Sequence, residues 1–301
     1  MLDTIKPWIS AFRLRTLPLS VSGIIIGSCF AHYNGYFDGM IFTFAILLTI
    51  ALQILSNLAN DYGDGVKGTD NENRLGPTRA IQSAPICPDE MQGGIKMNIL
   101  VVIVLTVGLI FASFGSKYFF YAFVFFILAG LSVYAAINYT IGSSPYGYKA
   151  LGDVFVFLFF GLLSVIGSYF LYAKQVDHHV ILPAIIVGLL SVGVLNLNNM
   201  RDIASDEAVG KVTLAVKLGK KRAKQYHISL IISAMILSVI FAILYYSRAY
   251  IFLFLIAFIP LTIHLRKIIK AKTSEDFDPQ LKVLALTTFF LSILLGVGYI
   301  L

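Results

Sequence analysis

Charged residues in this chain stand far apart, and that spacing limits the fold more than any single motif. Stretches free of Asp, Glu, Lys and Arg cover residues 16–37, 39–60, 97–116, 118–148, 154–173, 180–200, 225–247, 249–265 and 283–301. Each is near or above the ~20 residues a helix needs to cross a hydrocarbon layer. Within 118–148 the turn chemistry of Gly142-Ser143-Ser144-Pro145 places one span at 118–138 and leaves the rest as a loop. The 249–265 stretch is the shortest, and Pro260 is expected to kink it or end it early. No strand-type alternation is present to support a β-barrel. Only 13% of the 301 residues are charged and 58% are hydrophobic, about half the ~25% charge of ordinary soluble domains. These figures exclude a soluble globule, a disordered chain and a disulfide scaffold. The expected fold class is all-α: a polytopic membrane protein with one transmembrane domain over residues 1–301 and nine transmembrane helices.

Lysine and arginine then orient those spans. With the N-terminus inside, 20 of the 23 basic residues fall on the inner face, and only Lys117, Lys174 and Arg248 fall outside. That asymmetry predicts an N-in/C-out topology. The net charge of +7 therefore reflects orientation and anionic headgroups, and no nucleic-acid partner is expected. The first span lacks a small-residue cleavage site after Phe30 and is read as uncleaved. Cys29 and Cys87 are expected at opposite ends of the bundle, too far apart for a disulfide. The five histidines show no H-x-x-x-H spacing, which makes zinc an unfavoured ligand.

Because charge is scarce, its clustering carries information. Nine of the sixteen acids fall in two loops expected on the inner face, 61–95 and 201–224, and six of the nine lie in two short motifs there. The first runs from Asn57 through Asn60, Asp61, Asp64 and Lys67 to Asp70; the second runs from Asn198 through Arg201, Asp202 and Asp206 to Lys211. Asp61 and Asp64 are spaced i,i+3, and Asp202 and Asp206 i,i+4, so each pair shares one helix face with about 5–6 Å between side chains. Two like charges at that distance call for a partner. One such pair is most simply a solvated helix end; two of them, each preceded by asparagine, favour two Mg²⁺ sites that bridge to phosphate oxygens. Lys67, Arg74, Arg79, Arg201 and Lys211 stand nearby as phosphate-binding cations. Two facing acid motifs bridged by Mg²⁺ to a diphosphate would be a way to ionise an allylic diphosphate.

Other features allow plainer readings. No P-loop and no dinucleotide fingerprint occurs, so no nucleotide cofactor is implied. Tyr139, Tyr146 and Tyr148 fit an interfacial aromatic belt as well as a site. Phe155, Phe157, Phe159 and Phe160 are expected to face lipid or neighbouring helices, with the lining of an apolar groove as the lesser alternative. Lys220, Lys221, Arg222 and Lys224 read as a topological anchor at the start of the seventh span, and topology also accounts for Arg13 and Arg15.

The stretches Arg13-Leu-Arg15-Thr-Leu-Pro18, N-x-x-N-D-Y-x-D-G-V-x-G-x-D from Asn57, and Arg74-Leu-Gly-Pro77-Thr-Arg79 resemble the UbiA-type intramembrane prenyltransferases. Pro145-Tyr-Gly-Tyr-Lys149-Ala-Leu-Gly-Asp153 and the run from Asn198 to Gly219 resemble the branch that prenylates 1,4-dihydroxy-2-naphthoate in menaquinone synthesis. The resemblance covers about residues 8 to 220. It departs at position 68, where glycine stands in place of a further acid; the next acid is Asp70.

The resemblance implies a bacterial inner-membrane enzyme with two Asp-rich cytoplasmic capping loops, over 61–95 and 201–224. Its donor would be a polyprenyl diphosphate, and prenylation of the naphthoate with loss of CO₂ and diphosphate would give demethylmenaquinone. Asp61, Asp64, Asp202 and Asp206 would hold Mg²⁺, with Asn57, Asn60 and Asn198 completing or orienting the shells. Lys67, Arg79, Arg201 and Lys211 would contact the diphosphate, and Arg15, Tyr139, Tyr146 and Lys149 the acceptor. Alternatives are the same superfamily with another aromatic acceptor, such as 4-hydroxybenzoate, or a membrane transporter, whose site would sit nearer the midplane.

Overall fold

The computed structural model describes residues 2–68 and 86–301. Among the described residues, nine helices are long and apolar enough to cross a membrane. The chain opens with helix α1 (Leu2–Phe12) and then runs through α2 (Leu17–Tyr33), α3 (Gly39–Val66), α4 (Pro88–Phe114) and α5 (Phe119–Asn138). Then come α6 (Gly152–Ala173), α7 (Ile181–Arg201), the short α8 (Ile203–Ala208), α9 (Leu214–Leu244), α10 (Leu255–Lys270) and α11 (Asp278–Ile300). The described residues contain no strand; a lone bridge links Lys149 to Val212. Cys29 and Cys87 are both free thiols.

Lipid is as apolar as a leucine side chain, so these helices cannot be driven together by hydrophobicity alone and depend on close packing. Small residues provide it. A Cβ on Gly161 of α6 would sit 2.7 Å from the Ala184 carbonyl oxygen and 2.7 Å from the Gly188 Cα of α7. On the other side of α6, Gly23 and Gly27 of α2 meet Ser164 and Ser168. Helix α6 is thus wedged between α2 and α7. Its middle, Phe157–Gly167, winds as a π-helix, a widened turn often found beside functional sites. Helix α7 is the most enclosed span, and α5 the least, turning Phe119, Phe120, Phe123 and Phe126 outward as a lipid-facing surface.

Three elements differ from the sequence expectation. Helix α3 does not stop at residue 60 but continues to Val66, so Asp61 and Asp64 are helical residues rather than part of a capping loop. Asp202 and Asp206 likewise sit at the cap of α7 and within α8, and only turns connect these to α9. Pro260 does not end α10, which continues ten residues beyond it; the proline lies inside the helix and forgoes one backbone bond there. The chain also holds α1, a helix whose Trp8 lies over Gly94 of α4 and whose Ala11 packs with Leu55, Leu58 and Met91. It is joined to α2 through Arg13, held at φ 49° in the left-handed region. That conformation costs a non-glycine residue about 1–3 kcal/mol, and surrounding contacts must hold it.

Candidate active site

All four aspartates of the two motifs are buried at the same end of the bundle. Each carboxylate faces a cation or a hydroxyl. Arg13 pairs with Asp61, which explains the strained backbone at Arg13: the turn aims its guanidinium at α3. Tyr148 donates its hydroxyl to Asp64 Oδ1 at 2.8 Å. Lys211 Nζ lies 3.3 Å from Asp64 Oδ2 and 3.7 Å from Asp206 Oδ1. One ammonium therefore links the first motif to the second, although 142 residues of sequence separate Asp64 from Asp206. Burial opposes the charge on Lys211, but the carboxylates of Asp64 and Asp206 outweigh it and raise its pKa above the ordinary lysine value.

Arg201 is fully buried and clamps the second motif. Its Nε and one terminal nitrogen hold both oxygens of Asp202 at 2.7 Å, the same nitrogen donates to Asn198 Oδ1 at 3.0 Å, and the other reaches Asp278 at 2.6 Å. Four of the five guanidinium N–H donors are used. The sequence reading placed Arg201 at the diphosphate; the structure directs it to carboxylates.

Around this cluster the remaining sequence candidates separate. Lys67 donates to the carbonyls of Thr140 (2.7 Å) and Gly142 (3.1 Å) and lies 4.7 Å from the centre of the Tyr148 ring. Partial burial lowers its pKa, with Asp64 pulling the other way. Gly63 permits this arrangement, because a Cβ there would lie 2.5–2.9 Å from Thr140. Asn57 faces away from the acids: its amide donates to the Phe12 carbonyl and Thr16, and its oxygen accepts from Gln53. Asn60 accepts from Thr140. Asp70, Arg74 and Arg79 lie outside the described residues.

A cavity of about 400 Å³ runs from this end into the bundle. Arg13, Arg15, Asn60 and Asn198 line its polar end, and Leu109, Ile110, Phe125 and Leu171 line its interior. Most of the wall is apolar, as in pockets that hold lipid-like ligands. Tyr139 and Tyr146 also line it, their rings 5.3 Å apart edge to face, and Tyr146 stacks on Phe155 at 3.9 Å. Burial raises the pKa of both phenols, and the charges of Asp64, Asp206 and Asp153 raise that of Tyr139 further. They therefore remain neutral hydroxyls and present neutral π-faces. Lys149 is exposed and does not line the cavity. Phe155, Phe159 and Phe160 line it, the lesser of the two alternatives for this run; Phe159 and Phe160 lie in the π-helical stretch of α6.

The donor set suits Mg²⁺. Only oxygen ligands converge here, from four carboxylates and the Asn60 and Asn198 amides, the hard-donor chemistry that this ion takes. The Lys211 ammonium between Asp64 and Asp206 shows that both motifs can share one positive charge. Among the described residues, the one set of three acid or imidazole ligand atoms within 4.8 Å of one another is Asp177, His178 and His179, in the connection between α6 and α7. Among the described residues, no three of the four site aspartates form such a set.

Tyr148, which the sequence leaves between belt and site, holds Asp64. Residues that the sequence did not single out complete the site: Asp278 holds Arg201 and Thr140 holds Asn60 through long-range contacts, and Gln53 donates to Asn57 one turn along α3. Topology accounts for Arg13 in the sequence, and the R-x-R spacing does not say which arginine turns inward.

The class defined by this bundle is that of helical intramembrane prenyltransferases. The chain belongs to the UbiA prenyltransferase family, whose profile matches residues 20–294. It is 41% identical to the 1,4-dihydroxy-2-naphthoate octaprenyltransferase of Escherichia coli over 84% of this chain and 81% of that protein. It is 37% identical to the Haemophilus influenzae protein of the same name over 98% of this chain and 96% of the other. Among solved structures, a UbiA homolog from Aeropyrum pernix aligns with TM-score 0.65 at 16% identity, covering 95% of this chain and 97% of that one. Another, from Archaeoglobus fulgidus bound to GPP and Mg²⁺, aligns with TM-score 0.61 at 13% identity, covering 95% and 99%. The protein is therefore a multi-pass membrane prenyltransferase, and the transporter reading falls away.

Proposed function

We propose that the protein transfers a polyprenyl group from polyprenyl diphosphate to 1,4-dihydroxy-2-naphthoate, with loss of diphosphate and CO₂. The observation that carries this reading is the apolar cavity opening beside two buried acid pairs, which matches a long tail joined to a diphosphate. The names of the Escherichia coli and Haemophilus influenzae relatives supply the acceptor. Basic residues concentrate at the acid end, which supports an N-in topology with the site facing the cytoplasm of a bacterial cell.

In the reaction the allylic C–O bond breaks, its electron pair leaving with the diphosphate. The ring carbon that bears the carboxylate supplies the electron pair of the new C–C bond. Departure of CO₂ then returns electrons to the ring, leaving the quinol form of demethylmenaquinone. Asp61 and Asp64, with Asp202 and Asp206, would hold Mg²⁺, aided by Asn60 and Asn198. Magnesium bound there supplies Lewis-acid stabilisation of the negative charge that develops on the leaving group. Arg201 positions Asp202, and Tyr148 positions Asp64. Lys211 and Lys67 stand where a diphosphate entering between the motifs meets positive charge. The neutral rings of Tyr139 and Tyr146 offer π-density to the allylic cation. Arg15, at the polar end of the cavity, is placed to meet the acceptor carboxylate. Burial of the reacting groups keeps water from trapping the cation as an alcohol.

The test is acceptor competition. Purified protein in detergent is given one polyprenyl diphosphate, Mg²⁺ and equimolar 1,4-dihydroxy-2-naphthoate, 4-hydroxybenzoate and homogentisate, and the lipid products are weighed by mass spectrometry. A decarboxylated prenyl-naphthoquinol should dominate. A prenylated benzoate as the main product would overturn the acceptor assignment.

A further inference from the structure

A second cavity, of about 310 Å³, lies where the start of α9 meets the end of α10, near the acid end. Lys220, Lys221 and Lys224 from α9 and Lys272 from the connection after α10 line it, with Ile203 and Phe277. No carboxylate lines it. Lys224 is tied down, donating to the carbonyls of Ile269 (2.7 Å) and Ala271 (3.0 Å) and so closing the end of α10. Lys220, Lys221 and Lys272 are exposed. The adjacent acid, Asp276, is turned to backbone, accepting from the amides of Lys272 (2.8 Å) and Thr273 (2.9 Å). Thr273 and Ser274 add hydroxyl donors to the wall.

A topological anchor needs charge on the correct side of the membrane, but it needs no concave site. Here the charges gather around a hollow, and an apolar outer surface adjoins it: Ile269, on the last turn of α10, is 59% exposed. Positive charge in a hollow beside a lipid-facing helix is the arrangement that receives an anionic headgroup while its acyl chains lie along the helix.

We infer that this cavity binds the phosphate headgroup of an anionic phospholipid. Such a lipid would brace the connection that ends in Phe277, next to Asp278, the carboxylate that anchors Arg201. Met200 and Ile203, which flank Arg201 and Asp202, also line the cavity. Headgroup binding is therefore coupled to the clamp on Asp202. The binding itself is independent of the proposed reaction; only an effect on turnover rests on that reading.

The experiment uses the full-length protein in phosphatidylcholine nanodiscs, with cardiolipin added to the bilayer, or inorganic phosphate or diphosphate added to the buffer. Acylation of individual lysines is followed by mass spectrometry. Cardiolipin should slow labelling of Lys220, Lys221 and Lys272 about fivefold or more, consistent with a stabilisation near that of one lysine at an anionic surface. Lys267 and Lys270, at the same end but outside the cavity, should change less than about twofold. Equal protection of all five lysines would mean a diffuse surface field and would overturn the site. Protection by phosphate or diphosphate without cardiolipin would mean a soluble-anion site and would overturn the lipid assignment. As a second arm, native mass spectrometry compares Lys220→Gln/Lys221→Gln/Lys272→Gln with Lys267→Gln/Lys270→Gln. The triple variant should lose bound cardiolipin by roughly 100-fold in affinity, and the double variant should retain it. Equal retention by both overturns the proposal, and the labelling arm decides the question even if the triple variant does not fold.

Discussion

Replacing Arg201 removes the clamp on a charge the fold has enclosed. Arg201→Gln removes the bidentate hold on Asp202, whose side chain is 6% exposed, while Asp278 at the far end of the guanidinium is 36% exposed. The Asp278 contact is screened by water and contributes under about 1 kcal/mol. The Asp202 contact is not screened, and stranding one member of a buried ion pair costs about 3–5 kcal/mol. Arg201→Lys keeps the charge but cannot form the planar fork, so it loses at least two charge-assisted hydrogen bonds and should cost about 2–3 kcal/mol. Adding Asp202→Asn to Arg201→Gln removes the charge the clamp had offset and should recover about half of the loss. Unfolding in mixed detergent micelles, followed by circular dichroism, measures all three. If Arg201→Gln unfolds within about 0.5 kcal/mol of the parent, the clamp does not hold Asp202 in the manner described.

Further substitutions test separate parts of the bundle. His227 and His264 meet through their Nε2 atoms at 2.8 Å, and His264 Nδ1 faces Gln280 Oε1 at 3.2 Å. An amide oxygen only accepts, so His264 carries its proton on Nδ1 and receives a bond from His227 Nε2–H. His227→Leu should cost about 1–3 kcal/mol, and His264→Leu more because it strands two groups; micellar unfolding would show the order. Gly161→Ala should destabilise the α6–α7 contact by about 1–3 kcal/mol, because the atoms a methyl would meet are backbone. Gly130→Ala, where a Cβ meets nothing within 4 Å, should instead stabilise by about 0.5–1 kcal/mol. Lys174, between α6 and α7, has its pKa lowered by burial to about 8. Its folded value lies below its unfolded one, so the penalty is full below pH 8 and is relieved as pH rises through about 8 to 10.5. A stability gain over that window, absent in Lys174→Met, checks the sign, as does an acylation midpoint near pH 8.

What the sequence disclosed and what it withheld follow from the range of the forces involved. Spans could be read because crossing lipid imposes a length and forbids charge locally. That Asp61 and Asp64, and Asp202 and Asp206, stand about one helical turn apart could be read from their spacing alone. The end of α3 could not, since Gly63 and Gly65 look like turn residues until Thr140 packs against the first. Arg13 with Asp61, Tyr148 with Asp64, and Arg201 with Asp278 are 48, 84 and 77 residues apart, and no local pattern encodes such partners. The inward turn of Phe159 and Phe160 depends on π-helical winding, which hydropathy does not register.

The central claim is that two buried acid pairs drive departure of diphosphate from an allylic donor. It is tested most directly by measuring diphosphate release from purified protein given polyprenyl diphosphate and 1,4-dihydroxy-2-naphthoate, with Mg²⁺ or with EDTA. The account predicts release with Mg²⁺, none with EDTA, recovery when Mg²⁺ is restored, and none at any Mg²⁺ level from Asp61→Asn or Asp202→Asn proteins that remain folded. Full release by either variant, or release that persists in EDTA, would contradict it.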